Sequence, residues 1–103
     1  MQTKTIALPK LNHLQPTLES TALKLMEEAG ELGEAIGKFR NLSGEKEQRD
    51  SKMVMELITQ ELLDVAQTAV TMMFVLQEQF DIDIDAALKS HCDKLIRKGY
   101  LKI

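Results

Sequence analysis

The chain has no tryptophan, a single cysteine, two prolines, and only three phenylalanines and one tyrosine in 103 residues. One cysteine rules out an internal disulfide and any thiolate-rich metal site. Cys92 therefore reads as an ordinary half-buried helix residue. Both prolines, Pro9 and Pro16, lie near the N-terminus, so nothing after them bars continuous helix. An excess of positive charge is also missing: 13 basic residues face 16 acidic ones, for a net charge of -3 and a pI near 5.4. DNA or RNA polymers call for a basic stripe, which this balance does not supply. A small nucleotide is still compatible, since a metal and a few cations can meet its phosphates. Long apolar runs are absent as well. The most apolar stretch, VAQTAVTMMFVL, is too short and too polar to span a bilayer, and MQTKTIALPK lacks the apolar segment of a signal peptide. The expectation is a soluble, cytoplasmic protein with no membrane partner. Strand signals are scarce too, because β-branched residues rarely alternate with polar ones.

What the chain does have is helical periodicity, within a globular composition of 44% hydrophobic and 28% charged residues. Its length fits one domain. A first helix is expected from near Pro16 to about Arg40, with an apolar stripe of Leu18, Leu25, Ala29, Leu32, Ile36 and Phe39. The charged stretch NLSGEKEQRDS reads as a loop. A second helix runs from Ser51 or Lys52 to Phe80. After turn and cap chemistry at Asp81 and Asp83, a third spans roughly Ile84 to Lys98 and stops at Gly99. Residues 1–15 read as an N-terminal arm and residues 16–103 as one helical domain. The fold class is all-α, with the helices packed as an antiparallel bundle.

The acidic residues carry the chemistry. LKLMEEAGELGEA places Glu27, Glu28, Glu31 and Glu34 within about two helical turns. At about 100° per residue, Val54, Leu57, Ile58, Val65, Ala69 and Met72 share one face of the second helix. Glu61 falls in the middle of that face, and Asp64 lies about 60° to one side. A buried, unpaired carboxylate costs several kcal/mol or takes up a proton. Glu28 and Glu31 form one inward i,i+3 pair, and Glu61 and Asp64 form another. An antiparallel hairpin brings the pairs together, and a hard divalent cation relieves their repulsion. All-oxygen ligation favours Mg²⁺ or Mn²⁺ over Zn²⁺. There is no Glu-x-x-His to point to a di-iron bundle. Each acidic motif alone is common on a solvated helix face; the two at matched spacing on consecutive helices are not.

The joint pattern Glu28-x-x-Glu31 then Glu61-x-x-Asp64 resembles the MazG-like all-α nucleotide pyrophosphohydrolases. KLMEEAGELGEA looks like that family's first motif helix, QELLDVAQ like its second, and DKLIRKGY like the basic end of a later helix. The resemblance covers about residues 17–100. It implies that the helical bundle is completed by dimerisation, or by a dimer of dimers, and that the activity is Mg²⁺-dependent hydrolysis of a nucleoside triphosphate to the monophosphate and pyrophosphate. It further implies Glu28, Glu31, Glu61 and Asp64 as metal ligands, with Glu27 orienting or deprotonating water. Lys24, Lys94, Arg97 and Lys98 are the implied triphosphate contacts. Two features depart from the pattern. The spacer between Glu31 and Glu61 is long compared with many members, and no tryptophan is present to stack on a base. Phe39, Phe80, Tyr100 and His13 are the available substitutes. The second helix is also apolar on its other face, through Leu63, Ala66, Val70, Met73 and Phe74, which marks it for a subunit interface. Gly30, Gly33 and Gly37 beside Met26 give a second helix room to approach. Two other readings fit the same residues: a metal-free helical dimer whose acidic face binds a basic protein, and a related enzyme acting on a specialised nucleotide such as phosphoribosyl-ATP.

Overall fold

The computed structural model describes residues 1–40 and 51–103. Its elements are three helices: α1 (Leu18–Phe39), α2 (Ser51–Phe80) and α3 (Ile84–Arg97). No strand occurs among the described residues, and the fold is all-α. The loop expected over NLSGEKEQRDS lies outside the described residues, except for its last serine, which opens α2.

Local chemistry sets the helix ends. Helix α1 starts at Leu18, two residues after Pro16, behind a capping box at Thr17. The Thr17 hydroxyl accepts from the Ser20 amide at 3.0 Å, and the Thr17 amide donates to Ser20 Oγ at 2.9 Å. Two amides that the helix itself cannot satisfy are thereby paired. At the start of α3 the Asp83 carboxylate accepts from the Ala86 amide at 3.0 Å. Helix α3 ends in a Schellman motif: Gly99 adopts φ +80°, its amide bonds Ile96 O, and the Tyr100 amide bonds Leu95 O. Between α2 and α3 the chain turns at Asp81, with φ +56°, a left-handed conformation that aspartate tolerates better than most residues.

Helices α1 and α2 pack as an antiparallel pair, and α3 meets α2 but not α1 among the described residues. The shielded row on α1 is Leu18, Thr21, Leu25, Glu28, Leu32, Ala35 and Phe39. On α2 it is Val54, Ile58, Glu61, Val65, Thr68, Met72 and Val75. Both rows advance by alternating steps of three and four, the spacing of a coiled-coil seam. This corrects the expected α1 stripe: Ala29 and Ile36 are exposed, whereas Glu28 and Ala35 are buried. A straight 3.6-residue wheel drifts from the 3.5-residue seam that a close helix pair selects, so it swings the stripe towards the neighbouring residues.

The arm lies along α2 on polar ties. Gln67 Nε2 donates to Pro9 O at 2.9 Å, and Gln79 Nε2 donates to Pro16 O at 3.1 Å. Lys10 pairs with Glu78, and its ammonium sits 6.0 Å from the Phe74 ring centroid.

The apolar surface is only partly covered. Leu23 and Met26 of α1 are 69% and 72% exposed, and Leu62, Leu63, Met73 and Leu88 are exposed too. A Cβ added at Gly30, Gly33 or Gly37 would meet nothing within 4 Å. The radius of gyration is 16.9 Å, against about 13 Å for a compact domain of this size. Replacing Thr17 by alanine removes the capping box and should cost about 1 kcal/mol of stability. A shift of the urea midpoint with unchanged slope would register it.

Candidate metal centre

Glu28 and Glu61 face each other because each occupies a seam position of its helix. Glu31 joins them from one turn further along α1. Among the described residues, these three each offer a carboxylate oxygen within 4.8 Å of the others. Their burial is graded: Glu28 is 7% exposed, Glu61 is intermediate and Glu31 is exposed. Oε2 of Glu28 and Oε2 of Glu61 are buried with no hydrogen-bond partner. Leaving a buried acceptor unpaired costs about 1–3 kcal/mol, and more when it is charged.

Charge at the cluster is only partly balanced within the chain. Lys24 Nζ lies 2.9 Å from Glu28 Oε1, one helical turn away, and 3.6 Å from Glu27 Oε1. The bond to Glu28 and the negative charges of Glu27 and Glu28 raise the Lys24 pKa above its ordinary 10.5. The charge of Glu28, then loss of hydration, then the charges of Glu61 and Glu27 push the Glu31 carboxyl above the ordinary 4.5. Two carboxylates this close resist simultaneous ionisation.

Asp64, the fourth expected ligand, is exposed and stands outside the three-oxygen ring. It lines an adjoining cleft of about 430 Å³ together with Glu28 and Lys24. The arm closes that cleft with Leu11, Leu14 and Pro16, and α1 and α2 add Thr21, Thr68 and Thr71. Glu27 is exposed beside Lys24. Lys94 and Arg97 end α3 and Lys98 caps it, and none of the three lines the cleft. Of the aromatic substitutes for a stacking tryptophan, neither Phe39, Phe80 nor Tyr100 lines it, and nor does His13. The cleft next to the acids is thus walled by aliphatic, threonine and glutamine side chains. The arm's part in that wall was not visible in the sequence. The Thr-x-x-Ser run at residues 17–20 was a legible signal for the helix start.

A cluster of carboxylate oxygens, two of them buried and unpaired, fits a hard divalent cation. The family model described as the MazG nucleotide pyrophosphohydrolase domain matches residues 16–99. The chain belongs to this family. No curated protein and no solved structure matches it. The matched span of this MazG-family domain holds α1, α2, α3 and all the acids of the cluster, and starts where the arm ends. Among the described residues no helix is long and apolar enough to cross a membrane.

The raised Glu31 pKa has a signed consequence for stability. The folded, metal-free protein holds this proton more tightly than the unfolded chain does. Stability therefore falls as pH rises from about the unfolded value of 4.5 through the raised folded value. Glu31→Gln should melt higher than the natural protein at pH 7 in the presence of a chelator. The difference should vanish below pH 4.5, where Glu31 is protonated in both states. Thermal denaturation of the two proteins across this pH range measures it.

Proposed function

We propose that this MazG-family domain is a cytoplasmic, Mg²⁺-dependent nucleoside triphosphate pyrophosphohydrolase. It cleaves between the α and β phosphates and releases the monophosphate and pyrophosphate. One observation carries the reading. Three carboxylates from two helices converge within 4.8 Å, two of their oxygens are buried without partners, and a cleft opens beside them.

In this reading Glu28, Glu31 and Glu61 hold the cation, and Asp64 adds a ligand from the cleft wall. Mg²⁺, or Mn²⁺ in its place, supplies Lewis acidity and neutralises phosphate charge when bound. Glu27 lies outside the three-oxygen ring, and its carboxylate, beside Lys24, takes a proton from water in this reading. Lys24 has three N–H donors and at most two carboxylate partners here, so one donor can face a phosphate in the cleft. Basic groups at that point steady the leaving pyrophosphate as its charge grows. Lys94, Arg97 and Lys98 stand away from the cleft of their own chain, and serve a triphosphate from a second copy. A homodimer or homotetramer also covers the exposed leucines and methionines of α1 and α2.

The test uses purified protein, Mg²⁺, and a panel of canonical and damaged nucleoside triphosphates with phosphoribosyl-ATP included. The expected products are monophosphate and pyrophosphate, formed only with the metal present. Glu61→Gln should abolish turnover while keeping the helical circular dichroism signal. Orthophosphate as the product, turnover in excess chelator, or full activity of Glu61→Gln would refute the reading.

A further inference from the structure

We infer that Lys24 is a positioning residue for the metal centre: its ammonium fixes the Glu28 carboxylate so that the opposite oxygen is presented to a divalent cation. This rests on the proposed metal site and gives Lys24 a part in it beyond a contact with phosphate.

The two Glu28 oxygens have different fates. Oε1 takes the Lys24 ammonium at 2.9 Å. Oε2 is buried with no partner. A carboxylate turns easily about its last side-chain torsion, which is broad and two-fold. Unheld, Glu28 could offer either oxygen, or could rotate away from the repulsion of Glu31 and Glu61. An ammonium on one oxygen removes that freedom. The i,i+4 spacing of Lys24 and Glu28 on α1 makes the contact local, so it exists before any ligand arrives. Partners of this kind orient the ligating atoms and tune their basicity.

An ordinary surface ion pair is a poor description of this contact. Glu28 has a side chain only 9% exposed, and Lys24 also lines the cleft. The two explanations predict effects of opposite sign. If Lys24 acts only as a nearby positive charge, removing it lowers repulsion and metal binds more tightly. That term is weak, because the Lys24 side chain is 54% exposed and screened by solvent and salt. If Lys24 holds Glu28 in place, removing it weakens metal binding.

The experiment is calorimetric titration of Mn²⁺ alone into the full chain, without nucleotide. Lys24→Met should lower the affinity about tenfold, the low end for loss of such a partner. Lys24→Arg keeps a donor and should recover most of it. The exposed position of Lys24 leaves the fold intact, and the melting temperature in chelator checks this. Equal or tighter Mn²⁺ binding by Lys24→Met would overturn the inference and leave the metal site standing. Failure of the natural protein to bind Mn²⁺ would overturn both. Weaker binding by Lys24→Met that Lys24→Arg does not repair would also count against it, since the positioning contact needs only a cationic donor.

Discussion

Two glutamates sit in the contact seam of an antiparallel helix pair, and the rest of the structure is arranged around that conflict. Glu28 and Glu61 occupy positions that leucine or valine fills elsewhere along α1 and α2. Apolar residues there would gain about 1.5–3 kcal/mol each from burial. The chain instead carries two buried oxygens without partners. Sequences rarely keep a local rule broken without a compensating gain, and such breaks gather at functional sites. A divalent cation held by these carboxylates would replace that repulsion with an attraction across the helix interface.

The surroundings grade the charge. Glu28, the deepest acid, is the one with a lysine at hydrogen-bonding distance. Glu31, the most exposed of the three, holds its proton more tightly than a free carboxyl does, because the charge of Glu28, loss of hydration, and the charges of Glu61 and Glu27 all act on it. The cleft begins at the other end of the cluster, where Glu28 shares its wall with Lys24 and Asp64.

The remaining helix surface is governed by shortage of cover. A two-helix pair with a third helix touching one end cannot enclose thirty residues of α2. Leu62, Leu63 and Met73 stay exposed, and the glycines of α1 have open space beside them.

The sequence by itself determined the all-α class and the three helices to within two residues at their ends. Both follow from local chemistry: periodicity and capping aspartate and glycine act within a few residues of chain. The meeting of Glu28 and Glu31 with Glu61 needed, besides the i,i+3 spacing, the packing of α1 on α2. The sequence also placed an acid on the apolar face of α2, since a wheel needs no partner to show it. Tertiary structure alone decided the rest. The α1 stripe shifted from Ala29 and Ile36 to Glu28 and Ala35 because a packed pair selects its own seam. Asp64 turned to the cleft wall rather than into the ring, because a residue three positions from the seam centre can face either way. The arm became a wall of the cleft through glutamines on α2 more than fifty residues away, a contact that no local pattern encodes.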